Sequence, residues 1–309
     1  MLGLTAASRA AGGGQRAFED ATKHIVANML QSMHKRLEVE SIYGQMGLGE
    51  ISTVNVDNVV ITAAEWAAGI WAGAEGMPVE VRSSSGTLRG NANVTRSDLD
   101  NRAIYLDAIP VGTVATDKMY FKGAYGNEFA GIHKIITNTG SLFGIDASQY
   151  SLWQGNTYAT SGDLSLEKIE LAIARAIEKG LDGDVKCLLN PKIFGVLVAD
   201  EAALRKYDHS YDKEEGENGF RKLRFFAASG AIEIEPSIYV KQGHCFLLHL
   251  KDFVRVGSSD ITFKRPAAEG EFFRDVENSA AYELRTWCDT AIFTSTPGKN
   301  VLITGFNIP

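Results

Sequence analysis

Six histidines, three cysteines and a scatter of carboxylates are the side chains of this 309-residue chain that could hold a metal or move a proton. His244 and His249 stand in an apolar run that reads as a strand, and their odd separation sends them to opposite faces. They cannot readily share a metal. His24 and His34 lie on a helical pattern but about 80° apart around its axis at 3.6 residues per turn. His133 and His209 occur in unrelated contexts. Asp98 and Asp100, within Ser97-Asp-Leu-Asp-Asn101, lack the calcium loop's length and closing glutamate and read as a turn. Glu214, Glu215 and Glu217 form a solvated charge run, whereas a general acid or base needs a buried carboxylate with a displaced pKa. Cys187, Cys245 and Cys288 are odd in number and far apart, each within an apolar strand pattern, which favours reduced, buried thiols over a disulfide framework or zinc site. No Gly-x-Ser-x-Gly elbow or Cys/His nucleophile pattern occurs, and the glycine-rich stretch 123–146 contains no phosphate-cradling motif. The expectation is no catalytic residue, no cofactor and no bound metal. A soluble α/β enzyme with dispersed catalytic residues is the alternative from a different class.

The formal net charge of −7 argues against holding nucleic acid by phosphate neutralisation, which depends on clustered Lys and Arg. Here the cations are dispersed. Apolar residues make up 45% of the chain and charged residues 22%, an ordinary balance for a globular protein with a sizeable core. No run approaches the roughly 20 apolar residues that cross a bilayer. The start, Met1-Leu-Gly-Leu-Thr-Ala-Ala-Ser-Arg, lacks the leading basic region and long apolar stretch of a signal peptide. Synthesis in the cytoplasm and no membrane association are expected.

The elements that would position any site are clearest in the second half. Ser165 precedes an amphipathic helix whose Leu166, Ile169, Ile173, Ala176 and Ile177 share one face, and Gly180 is placed to stop it. Next come the buried strand Val185-Lys-Cys-Leu-Leu-Asn190 and Pro191, which suits the first turn of another helix carrying Ile193, Phe194, Leu197 and Leu204. The segment 210–219 is polar and charged, too poor in apolar residues to order itself by burial. Strand patterns follow at Gly230–Pro236, Gly243–Leu250 and Phe253–Val256. A long paired strand is expected over Asn278–Thr296, with Tyr282, Leu284, Trp287 and Phe293 as its packing residues, before the tail Val301–Phe306.

This ordered string, with Leu189-Asn190-Pro191 at its centre, resembles the major capsid proteins of tailed bacteriophages, the family with the Hong Kong 97 fold. The resemblance implies an α+β subunit with a peripheral domain, an axial α/β domain and a small inserted β-rich domain. A long helix at Ala17–Tyr43, with Phe18, Ile25, Met29, Met33 and Leu37 in one stripe and roughly 40 Å long, would be the peripheral spine. The expected division is 1–16 as a flexible lead-in, 17–75 and 126–184 in the peripheral domain, 76–125 as the inserted sheet or barrel, 185–255 as the axial domain, and 256–309 as peripheral strands and C-terminus. A nucleic-acid-binding barrel is the sharper reading of 76–125, but its basic groove is missing.

The resemblance implies a structural virion protein, without enzymatic activity, that self-assembles into pentamers and hexamers of an icosahedral head enclosing double-stranded DNA. Its partners would be further copies of itself, together with scaffolding, portal and decoration proteins. DNA would be contacted weakly and without sequence specificity. A cellular nanocompartment shell or gene-transfer particle is the alternative within the same fold. The loop around Glu214–Asn218 would line a capsomer's centre. Relatives place an arm and an extended hairpin before the spine helix, whereas some 16 residues precede it here. The expectation is a lattice held in another way, or a chain lacking its N-terminal part.

Overall fold

The computed structural model describes residues 2–4, 14–205, 223–263, 273–275 and 282–309. Its mixture of helices and several separate sheets makes the chain an α+β protein. Two compact units divide it: 1–38 with 255–293, and 39–254 with 294–309.

The larger unit contains a closed six-stranded barrel, in the order Gly49–Val54, Asn58–Ile61, Ala103–Leu106, Leu88–Asp98, Pro78–Arg82 and Lys118–Phe121. The expected module at 76–125 therefore also takes in the two strands between Gly49 and Ile61, without which the sheet could not close. Alternate residues fill the interior: Val79 pairs with Ala92 and Phe121, Val81 with Met119, and Val94 with Leu106. All seven side chains are buried. Register shifts at Ile51/Thr53, Val81/Arg82 and Val94/Arg96 supply the local bending that a small barrel requires.

Beside the barrel lies a six-stranded mixed sheet in the order Asn156–Ala159, Val301–Thr304, Cys245–Leu248, Val185–Leu189, Gly230–Pro236 and Leu223–Ala227. Two of its strands, Asn156–Ala159 and Val301–Thr304, come from outside 185–255. Strand Cys245–Leu248 is buried along its whole length because both faces are covered. Cys245 and Leu247 join a core with Ile169, Ile173, Ile193 and Leu197 from two helices, Leu166–Ile177 and Pro191–Arg205. Phe246 and Leu248 face the opposite core, shared with the barrel, Tyr43, Trp66 and Trp71.

The sequence-level caps are realised. Ser165 Oγ accepts from Lys168 N, and past the helix end Gly180 adopts φ +89° while Leu181 N donates to Ala176 O at 2.9 Å. Ser165→Ala is expected to cost about 1 kcal/mol, read as a lowered urea midpoint with an unchanged m-value. At the next junction, Asn190 Oδ1 accepts from Lys192 N at 3.1 Å and Nδ2 donates to Val240 O at 2.8 Å. Leu189-Asn190-Pro191 therefore starts a helix and also ties down the turn before the central strand, Cys245–Leu248. Cys187 and Cys245 are buried with their sulfurs 3.4 Å apart, and the contact together with burial raises the Cys187 pKa well above the usual thiol value. Both are free thiols. Cys288, expected to be buried, is half-exposed, because a two-stranded ribbon flanks each residue on one side only.

That ribbon, of which 255–262 and 287–293 fall in the smaller unit, pairs Phe253–Thr262 with Trp287–Thr294. The same unit holds an antiparallel sheet in which Tyr282–Leu284 lies between Leu2–Leu4 and Phe273–Asp275. The strand pair expected over 278–296 is two strands that join different sheets, separated at Arg285 and Thr286; residues 276–281 lie outside the described residues. The long helix spans Gly14–Tyr43, a few residues longer at its start than the apolar stripe suggested. Its end, Val39, Ile42 and Tyr43, belongs to the buried core of the larger unit.

Candidate functional site

Four turns meet where the long helix ends. Gly44 follows Tyr43, and the backbone of Phe129–Gly131 passes so close that a Cβ on Gly44 would run into Phe129 O. Gly131 N donates to Gly44 O at 3.1 Å, and helix Ile132–Thr137 then carries His133 over the Tyr43 ring. The 3-10 turn Ala63–Glu65 leaves the barrel at its second strand and is clipped to the turn before the central strand: Gln242 N donates to Trp66 O and Gly243 N to Ala64 O, each at 2.9 Å. A side chain on Gly243 would collide with Ala64, so glycine permits this approach. Glu65, Lys241 and His244 are thereby brought to one buried point.

At that point the Lys241 side chain is 1% exposed and its Nζ donates to Glu65 Oε2 at 2.5 Å and to Gly47 O at 3.0 Å. The same ammonium lies 4.3 Å from the centre of the Tyr43 ring. Lys241 N donates to the Tyr43 hydroxyl at 2.8 Å, and that hydroxyl lies 3.2 Å from His244 Nδ1. His244 Nε2 faces Glu65 Oε1 at 3.6 Å, so we assign the ring proton to Nε2, toward the carboxylate, which leaves Nδ1 to accept from the Tyr43 hydroxyl. The His133 and His244 rings are 4.8 Å apart, and His133 Nδ1 is buried without a hydrogen-bond partner.

The electrostatics follow from burial and one ion pair. Burial opposes the Glu65 charge, but Lys241 and then His244 outweigh it and hold the carboxyl at about 2. Burial lowers the Lys241 pKa against the pull of Glu65, and raises that of Tyr43 well above the phenol value. Burial takes His244 down to about 4, only partly offset by Glu65, and takes His133 well below the ordinary imidazole value, with His244 and Lys241 adding to the shift. At neutral pH the cluster is therefore a lysine–glutamate pair beside two neutral imidazoles.

Sequence spacing did not bring these residues together: Lys241 and Glu65 are separated by 176 residues, Tyr43 and His244 by 201. The signal available was Lys241 and His244 placed just ahead of an apolar strand, a position where charged side chains must find partners when buried. His244 and His249 flank the strand Cys245–Leu248 and do not meet. His249 Nδ1 contacts Asp252 Oδ2 at 2.9 Å, and Thr296 Oγ1 donates to that same oxygen. His249 Nε2 points toward Gly183 without a partner. The hydroxyl thus bonds to the carboxylate and leaves the imidazole unused, the wrong wiring for an activated nucleophile. His24 contacts Asn28, and His34 Nδ1 contacts Leu30 O, both on the long helix. Asp98 accepts from Asp100 N, Asn101 N and Asn101 Nδ2, which makes it a turn residue whose pKa those bonds lower. Among the described residues no group of three His, Cys, Asp or Glu could hold a metal ion. His209 and Glu214–Asn218 lie outside the described residues.

An open cleft of about 770 Å³ lies elsewhere in the larger unit, with exposed Tyr150 and Leu152 on its rim and Lys179, Lys299 and Asp146 among its walls. Its polar groups are engaged: Lys179 Nζ donates to Gln154 O, Lys299 is 3.4 Å from Asp252, and Asp146 accepts from Ser148 N. No described helix is long and apolar enough to cross a membrane.

No family model matches the chain, and no curated protein matches it. Solved structures to which it is similar include the cyanophage A-1(L) capsid asymmetric unit, 12% identical over 59% of this chain and 61% of that one, with a TM-score of 0.43. A virus-like particle from Pyrococcus furiosus is 14% identical over 51% of this chain and 58% of that one, TM-score 0.28. The holo-SrpI encapsulin complex from Synechococcus elongatus PCC 7942 is 12% identical over 53% and 59%, TM-score 0.32. The chain spans less than two thirds of the length of each solved chain.

Proposed function

We propose that this chain is a shell-forming subunit of the Hong Kong 97 type, a coat protein that self-assembles into pentamers and hexamers of a closed head. The observation that carries the reading is the order of elements from Ser165 to Thr304: capped helix, strand Val185–Leu189, Asn-Pro helix, antiparallel return Cys245–Leu248 and closing strand Val301–Thr304, all converging on one mixed sheet. The reading keeps 185–255 as the axial region and, apart from the two barrel strands within 17–75, keeps 17–75, 126–184 and 256–309 as peripheral segments. Assembly proceeds through heterologous contacts, a patch on one edge of a subunit meeting a different patch on the next, with the rotation closing into rings. Many weak contacts acting together make the lattice persistent.

Double-stranded DNA is the cargo we assign, held loosely because a wall of net charge −7 does not neutralise phosphates. Scaffolding, portal and decoration proteins are the accessory partners of this reading, and the virion head is its location.

Size-exclusion chromatography with light scattering, followed by negative-stain imaging, tests assembly. Rings of five or six or closed particles are the expected result, and a monomer or dimer at every concentration would overturn the reading. Nuclease-protected DNA in the particles supports the phage head; protein cargo without DNA transfers the reading to a nanocompartment. Glu215→Lys, in the acidic loop assigned to the ring centre, should shift the ring population while changing the subunit's stability by less than about 0.5 kcal/mol.

A further inference from the structure

We propose that Tyr43, Glu65, His133, Lys241 and His244 form an acid-released latch: at neutral pH they fasten the helix end, the barrel exit and the turn before the central strand, and proton uptake by the histidine pair lets these segments separate. The proposal concerns the subunit alone and stands independently of its assembly.

The geometry supports it first. Four segments distant in sequence meet through one contiguous set of contacts, and the Tyr43 hydroxyl is its hub. With the ring proton assigned to Nε2, toward Glu65, His244 Nδ1 accepts from that hydroxyl, so a proton arriving there replaces an acceptor with a donor and leaves the Tyr43 hydrogen without its partner. His133 Nδ1 already lacks a partner, and its ring lies against Tyr43, His244 and Phe246, with no carboxylate in direct contact among the described groups.

Charge inventory supports it second. The groups facing the pair are Lys241 from its own turn, Glu65 from the barrel exit, Tyr43 from the long helix, and Lys118 from a barrel strand; Glu50 acts on Lys241. Two cations and two anions balance at neutral pH, so each added proton is an uncompensated buried charge. Glu65 cannot answer a second cation fully because Lys241 already occupies Oε2.

The direction with pH is determined. Both histidines have closed-state pKa values below the ordinary 6.5, His244 at about 4. The opened state therefore binds more protons below pH 6.5, so the latch's contribution is complete above that pH and is lost as pH falls toward 4. Glu65, held at about 2, lets go between its ordinary value of 4.5 and 2, largely below this window.

Amide hydrogen exchange by mass spectrometry on the full chain, corrected for intrinsic rates, tests the latch at pH 7.5 and pH 5. Protection over 241–248 and 43–48 should fall at least about tenfold at pH 5, and combining His133→Phe with His244→Gln should abolish that fall. His133→Phe alone keeps an aromatic ring in the stack and should weaken the pH dependence if the double variant does not fold. His24→Gln with His34→Gln, on the long helix, should leave it intact. Equal protection at both pH values in the parent chain, or an undiminished fall in His133→Phe, would overturn the proposal.

Discussion

Glu65→Ala is expected to destabilise the chain by on the order of 3–5 kcal/mol, because it strands the Lys241 ammonium in the protein interior. Lys241 is 1% exposed at its side chain, and after the substitution Gly47 O is the hydrogen-bond acceptor left to its Nζ among the contacts described. Within a total stability of roughly 5–15 kcal/mol, such a loss leaves a marginal protein at best. The converse change, Lys241→Met, should cost less, since the Glu65 side chain is 22% exposed and can draw water to its carboxylate. Combining Glu65→Leu with Lys241→Met should recover part of the loss, because a buried ion pair replaced by apolar groups of similar volume is often near neutral. Urea denaturation of the three variants measures this. If Glu65→Ala lowers stability by less than about 1 kcal/mol, the ion pair is not the structural tie assigned to it.

Trp71→Ala should be of similar size, about 3–5 kcal/mol. Trp71 is fully buried, and its ring is stacked on that of Trp66 with centroids 6.4 Å apart and planes 9° apart. Both belong to the core that the barrel shares with one face of the mixed sheet. Truncation leaves a void that close-packed neighbours can fill only in part. Trp71→Phe should cost much less, since it keeps an aromatic ring and removes an indole N–H that is buried without a partner. The control is Val56, 98% exposed at a barrel turn, where Val→Ser should change stability by less than about 0.5 kcal/mol. A loss at Trp71 no larger than at Val56 would mean that this shared core does not stabilise the fold.

How much was legible varies by element. Helix Leu166–Ile177 was readable residue by residue, because its cap, apolar face and stop signal all lie within sixteen consecutive residues. The Asn-Pro junction was readable for the same reason, although the bond from Asn190 to Val240 was not. The barrel was recognised as β-rich from alternation and turn residues, but its first two strands were assigned elsewhere; closure depends on pairing Gly49 with Met119, a contact that no local pattern encodes. In the strand pair expected over 278–296, the assignment of its two members to different sheets was not readable, because alternation continues across Arg285 and Thr286 while the partner strand changes.

The candidate site divides along the same line. From its own order of residues the chain determined its α+β class, its caps and turns, the absence of a recognisable catalytic motif and the net negative charge, all properties of neighbouring residues or of composition. Only the tertiary structure decided that Glu65, Lys241 and His244 share a buried point with His133 and Tyr43. Those side chains are ordinary where they stand in the sequence. Their displaced pKa values arise from the water that folding removes and from charges brought within a few ångströms across long loops, and neither exists until the barrel and the mixed sheet have closed on one another.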